Sequence, residues 1–374
     1  MKLNQFLFLA LVLLFQLSKA QNNTDKAALE NAKMAEDNKD YEEALKWFKK
    51  ANQLNPKNAT TYYDMAWCHN ELNQYEEAIK NAIDGIKVSP SAKLYTEYGY
   101  ALYKLEKYTE AIEKYKKAIA LEADNTLAVK GIADASFSNM DYATAEVYYK
   151  KCLALNKRVK EANYKLGYIM NENKKYQNAV EYELKAIALD KEYAEAYNEL
   201  GYAYSQQNLK STALDNYIKA ANLKPDNATY ATNVADLYYG IKELKNLDKA
   251  AEYYKKSLDI NDNNAISNFR LGWIYNEKEQ YADAKRYLNK AVQLDSKYAE
   301  AWVELGWVEY AGNNYTAAES DYQKAILYDS KTELGRYYLG LLYIKQGKNS
   351  SARKMVDELK ALKSVYAEKL NAKL

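Results

Sequence analysis

The stretch Ala194 to Asn227, AEAYNELGYAYSQQNLKSTALDNYIKAANLKPDN, decides the fold. In its first half Tyr197, Leu200, Gly201 and Tyr204 stand at i, i+3, i+4 and i+7, the spacing of one helix face. Ala213, Tyr217 and Ala220 repeat that spacing in the second half. Pro225 then ends the second helix, because proline has no N–H to carry it on. The stretch reads as a helical hairpin, and most of the chain repeats it.

Working outward, ten such units run without a break over 25–58, 59–91, 92–125, 126–159, 160–193, 194–227, 228–264, 265–298, 299–332 and 333–366. Self-similarity at such a period means that each unit buries its apolar face only against its neighbours. The eighth residue of each unit is small: Ala32, Ala66, Gly99, Ala133, Gly167, Gly201, Ala235, Gly272, Gly306 and Gly340. The twentieth is alanine every time, from Ala44 through Ala213 to Ala352. Glycine inside a helix costs ~1 kcal/mol relative to alanine. Its use at one fixed place therefore needs a gain elsewhere, and close helix crossing supplies it. Four residues after the alanine a bulky knob follows, as at Phe48, Tyr115, Tyr149, Tyr217, Tyr254, Leu288 and Tyr322, and three later another small residue, as at Ala118 and Ala325. Pro56, Pro90 and Pro225 close their units at one shared place.

The 34-residue period, the small eighth residue, the fixed alanine, the aromatic four on, the second small residue and the terminal proline together resemble the tetratricopeptide repeat. The resemblance implies an all-α fold: a right-handed superhelical α-solenoid of ten hairpins with a C-terminal capping helix, the first helix of each pair lining a concave groove. It implies a non-enzymatic scaffold that holds a protein or peptide segment. The unit at 59–91 is one residue short, and that at 228–264 carries three extra around Gly240 to Asn246, which predicts a longer loop there.

In this family the second, fifth, ninth, twelfth and thirteenth residues of the first helix face the groove. The ninth is aromatic at Trp67, Tyr100, Tyr168, Tyr202, Trp273 and Trp307. With Phe269, Val303, Tyr310 and Tyr337 around the last two, the groove over 265–345 is expected to be its most apolar part. Trp273, Trp307, Phe269, Val303, Tyr310, Tyr337, Tyr202 and Tyr168 are therefore the candidate binding residues. The same periodicity also fits rings that pack on neighbouring first helices or under the C-terminal helix and meet no ligand. Some members clamp the C-terminal carboxylate of heat-shock chaperones with groove lysines and asparagines. Here Leu29 and Lys33 stand at the places of the first two, so that mode is not expected. Sugar faces also stack on Trp and Tyr, which keeps a glycan or cell-wall fragment as the alternative ligand.

The ends follow the same logic. The first unit should present Lys26, Lys33, Glu36 and Asp37 as a polar cap. Met355, Leu359, Leu362, Tyr366 and Leu370, spaced by three or four, predict that the last helix runs on towards Leu374. Residues 1–20, MKLNQFLFLALVLLFQLSKA, carry a basic start, an apolar run and a Ser-x-Ala site before Gln21. That reads as a cleaved secretory signal, too short to span a membrane. It places the mature chain in the periplasm or at the cell surface, as in exported bacterial members of the family.

Composition excludes several classes. Of 53 basic residues the signal removes Lys2 and Lys19, leaving 51 against 51 acidic ones, so no basic field remains for nucleic acid. Only 12 Gly and 3 Pro leave little turn chemistry for sheets, and 39 Tyr against 6 Phe make an amphipathic ring the main core material. Cys68 and Cys152, more than two units apart, read as buried small residues, and the single His69 as a core histidine. No phosphate loop, nucleophile elbow or metal-ligand cluster is present, so neither catalysis nor a cofactor is expected.

Overall fold

The structure, a computed structural model, describes residues 24–374. The signal segment 1–20 lies outside the described residues. All regular structure among the described residues is helical. The chain divides into two compact units that meet in sequence at Asp190 and Lys191.

The first unit contains α1 (Asp25–Asp37), α2 (Tyr41–Leu54), α3 (Ala59–Glu71), α4 (Tyr75–Val88), α5 (Ala92–Lys104), α6 (Tyr108–Leu121), α7 (Thr126–Ser138), α8 (Tyr142–Leu155), α9 (Lys160–Glu172) and α10 (Tyr176–Leu189). Helix starts are set by short polar side chains that satisfy open N–H groups: Asp40 accepts from Glu43 N, Asn125 from Ala128 N and Asp141 from Thr144 N. The core follows the fixed places of the repeat. Ala44, Ala78, Ala111 and Ala145 are fully buried, and the knobs Phe48, Tyr115 and Tyr149 lie over the small eighth residues. A Cβ on Gly99 would stand 2.8 Å from the Tyr115 ring, so only glycine admits that ring at this depth. Cys68 and Cys152 are buried and unbonded to one another. His69 is buried too, its Nδ1 2.6 Å from Gln74 Oε1, and burial lowers its pKa, so the ring is neutral at pH 7.

The second unit contains α11 (Ala194–Gln206), α12 (Lys210–Leu223), α13 (Ala228–Gly240), α14 (Leu247–Ile260), α15 (Ala265–Glu277), α16 (Tyr281–Leu294), α17 (Ala299–Ala311), α18 (Tyr315–Tyr328), α19 (Glu333–Lys345), α20 (Asn349–Ala361) and α21 (Tyr366–Asn371). The longer connection expected after Gly240 is present, and Asn246 N closes it onto Tyr238 O at 2.9 Å. The C-terminus departs from expectation. The last helix does not run on: α20 stops at Ala361, Lys363 turns back with φ +56°, and α21 is a separate helix. Ser364 fixes the break, its hydroxyl donating to Glu333 Oε2 at 2.6 Å and accepting from Tyr366 N at 3.1 Å. Leu370 on α21 then fills the hole over Gly340, so the capping function is kept although the continuous helix is not.

Eight of the ten hairpins turn on a residue other than glycine in the left-handed region. Lys39, Asn73, Glu106, Met140, Lys174, Asn208, Glu279 and Asn313 all occupy one place in the repeat with φ between +57° and +63°, and only Gly347 holds it as glycine. Backbone bonds of the Schellman type surround this residue, as where Asp141 N donates to Ser136 O and Met140 N to Phe137 O. The left-handed region costs an L-residue ~1–2 kcal/mol. Met140 is 78% exposed, so its side chain contributes little burial in return. Met140→Gly should therefore stabilise the chain by ~1 kcal/mol, seen as a raised urea midpoint. An unchanged or lowered midpoint would show that the turn carries no such strain.

Candidate functional site

The first helices of the first unit carry a pocket that the repeat pattern builds from three consecutive hairpins. Its wall comprises Trp67, Asn70 and Glu71 of α3, Thr96, Glu97, Tyr100 and Tyr103 of α5, Tyr115 of α6, and Leu127, Lys130, Gly131 and Asp134 of α7, around a cavity of about 290 Å³. These are groove-side places of the repeat, except Glu97 and Gly131 at the sixth place and Tyr115, whose ring reaches through from the second helix of its hairpin. Gly131 lets that ring form the floor, since a Cβ there would run into it. Leu127 and Tyr100, 70% and 36% exposed, mark the mouth.

The polar groups at the floor are unusual for a helix bundle. Glu97 is only 8% exposed, and Asn70 Nδ2 donates to its Oε2 at 2.8 Å and to its backbone oxygen at 3.2 Å. Because the amide nitrogen has two acceptors, the orientation of the Asn70 amide is fixed, and its Oδ1 is buried without a partner. Burial pushes the Glu97 carboxyl up to about 7, with Glu71 adding to the rise and the Asn70 bond opposing it. Across the cavity Lys130 Nζ donates to Asp134 Oδ2 at 2.6 Å, and Tyr149 donates to Asp134 Oδ1 at 2.7 Å.

The second unit repeats this arrangement in register and closes it. Trp273, Asn276, Glu304, Trp307, Tyr310 and Tyr322 hold the places of Trp67, Asn70, Glu97, Tyr100, Tyr103 and Tyr115. Asn276 Nδ2 donates to Glu304 Oε2 at 2.7 Å, its Oδ1 is again buried and unpartnered, and burial again pushes the glutamate up to about 7. The difference is Tyr338, which stands at the place of Gly131. Its ring lies 5.2 Å from Trp307 and stacks on Tyr322 at 6.0 Å, filling the space that is open in the first unit.

The candidate binding residues fall accordingly. Val303 is a correction: at 3% exposure its side chain is buried and offers no surface to a ligand. Trp307 is half-buried between Tyr310 and Tyr338, and Trp273 packs edge-on to Tyr239 at 5.3 Å. Phe269 lies 4.8 Å from the Tyr298 ring, and Tyr337 5.0 Å from Tyr366 of α21. Tyr168 meets Phe137 at 5.4 Å, whereas Tyr202 is 38% exposed on α11. Sequence reading missed Asn70, Glu97 and Gly131. Asn70 and Glu97 carried a legible signal, an asparagine at the twelfth place followed by an acid at the sixth place of the next unit, found at 70 and 97, at 171 and 199, and at 276 and 304.

Hairpins of this kind, stacked with their first helices forming one face, define a helical-repeat interaction scaffold. Family models described as tetratricopeptide repeat match residues 35–80, 131–197, 194–227, 233–264 and 269–333, and one described as TPR repeat matches 99–135. The chain belongs to the tetratricopeptide repeat family. It is 39% identical over 105 residues to small glutamine-rich tetratricopeptide repeat-containing protein 2 of Saccharomyces cerevisiae, covering 27% of this chain and 30% of that protein. Heat shock protein STI1 of the same yeast is 33% identical over 96 residues, 25% of this chain and 16% of its own length. The chain thus spans a third or less of these relatives. The C-terminal part of a TPR repeat-containing protein from Cytophaga hutchinsonii superposes with a TM-score of 0.52 at 20% identity, over 65% of this chain and 99% of that one, which shows the fold.

The raised glutamate has a consequence for stability. Folded Glu97 holds its proton up to about pH 7, whereas the unfolded side chain releases it near the ordinary value of 4.5. Between those values the folded state binds more protons, so stability falls as pH rises through the window. Glu97→Gln removes the ionisation and should stabilise the chain by ~1–3 kcal/mol at pH 8 and by little at pH 5, read from urea unfolding. An equal gain at both pH values would show that burial does not disfavour the charged form.

Proposed function

We propose that the chain is an exported, non-enzymatic scaffold that holds an extended polypeptide segment against the first-helix face, with the pocket beneath Tyr100 as its anchor. The open cavity at Gly131 carries this reading. It is the place where the groove-side residues of three hairpins converge without a ring of the chain's own filling the space. Protein–protein interaction is what the family and fold provide, and aromatic rings around a desolvated polar floor are the usual composition of an anchor pocket. Rings of the second unit, Tyr202, Phe269, Trp273 and Trp307, would contribute secondary contacts. Among the described residues no helix is long and apolar enough to cross a membrane. The export reading rests on residues 1–20, and the N-terminal residue of the chain purified from its source should be Gln21.

Photo-crosslinkers placed at Tyr100 and Leu127 in the native cell test the anchor, with Val147, 63% exposed on α8, as control. Adducts mapping to one continuous stretch of a partner polypeptide at both groove positions and absent at Val147 are the expected outcome. Adducts to glycan instead would replace this reading by carbohydrate binding, and equal labelling at Val147 would remove the pocket as the contact surface.

A further inference from the structure

The chemistry of the pocket wall is one-sided. Its charged groups are three carboxylates, those of Glu71, Glu97 and Asp134, against the one ammonium of Lys130. The nearest donors are already engaged, the Asn70 amide nitrogen with Glu97 and the Lys130 ammonium with Asp134. A buried carboxylate short of donors is costly, and a ligand group that donates to it recovers that cost. Rings enclose these oxygens, and a ring face attracts a cation. Tyr100 already does so at the rim, where the Lys104 ammonium stands 5.5 Å from its centroid. At about 290 Å³ the cavity falls just below the ~300–1,000 Å³ of sites for whole small molecules and suits one long side chain.

We infer that the pocket beneath Tyr100 receives the basic side chain, arginine or lysine, of the segment that the groove holds. The inference rests on the peptide-holding reading and adds the partner's chemistry to it. The cation enters between Tyr100 and Trp67, donates to the Glu97 carboxylate, and leaves the Lys130–Asp134 pair in place. The counterpart in the second unit takes no such side chain, because Tyr338 fills it. Binding is coupled to protons. The groups facing Glu97 are Tyr63, Asn70 and Glu71 from α3, Lys93 on its own helix, Tyr115 from α6, Glu122 and Asp124 from the connection after α6, and Lys130 and Asp134 from α7. A bound cation favours the ionised carboxylate, so affinity rises from pH 6 to pH 8 as the proton of Glu97 is released.

The test is selection of displayed random dodecapeptides on the full chain, counter-selected on Tyr100→Ala so that only pocket-dependent peptides are kept. These should share one arginine or lysine position. In synthetic form, exchanging that arginine for neutral citrulline should weaken binding about tenfold, and Glu97→Gln should do the same at pH 8. That variant is expected to be at least as stable as the parent, so its loss of binding is not loss of fold, and a melt recorded alongside verifies this. Tyr100-dependent peptides with no basic position, or citrulline peptides that bind as well as their parents, would overturn the inference while leaving the groove reading intact. No Tyr100-dependent peptide at all would overturn both.

Discussion

The crossing of a side chain, in six of the ten hairpins a ring, from the second helix into the hole left by a small residue on the first is the interaction on which the rest depends. Cβ atoms on Gly99, Gly201 and Gly306 would come within 2.6–2.8 Å of the Tyr115, Tyr217 and Tyr322 rings. The helix penalty of each glycine, ~1 kcal/mol, is small beside burying such a ring. Tyrosine is used where phenylalanine would fill the same volume because the ring passes through to the groove side. The Tyr149 hydroxyl donates to Asp134 and the Tyr254 hydroxyl to Asp236, each at the ninth place of its own hairpin. Core and groove are therefore one structure. What stands at the ninth place is the residue that receives the hydroxyl, and where Trp307 stands there, the Tyr322 hydroxyl is buried without a partner.

That coupling makes the sixth place of the following hairpin decisive. The ring that crosses one hairpin is met by the next first helix, and the residue there determines whether space is left. Gly131 leaves it and Tyr338 takes it, with the flanking tryptophan, asparagine and glutamate the same in both settings. The more aromatic of the two settings is consequently the closed one.

The hairpins were legible because their determinants are local in sequence: small eighth residue, fixed alanine, knob four on. Three features were not. The left-handed turn residue is Lys, Glu or Met at several hairpins, residue types that carry no turn signal, and its geometry is imposed by the backbone bonds of the preceding helix. The break at Leu362 and Lys363 preserves the apolar spacing, so periodicity cannot distinguish it from a continuing helix; Ser364 reaching Glu333 is a tertiary bond. The open pocket depends on an absence, the missing side chain of Gly131. Counting aromatic residues along the groove ranks Trp307 above it, yet Trp307 spends its faces on Tyr310 and Tyr338.

Glu97 and Glu304 show how one motif serves two ends. Both carboxyls are disfavoured as ions by burial and both lean on an asparagine whose remaining oxygen has no partner. At Glu304 the rings of Tyr322 and Tyr338 close over the pair, so its cost is carried permanently by the packing around it. At Glu97 the same pair borders a cavity, so the carboxyl is within reach of a molecule entering past Leu127 and Tyr100. A cost that packing must offset in one unit becomes, in the other, free energy that a donor of the right charge can recover. The pocket's selectivity thus follows from what is left unpaired at its floor rather than from the rings at its mouth.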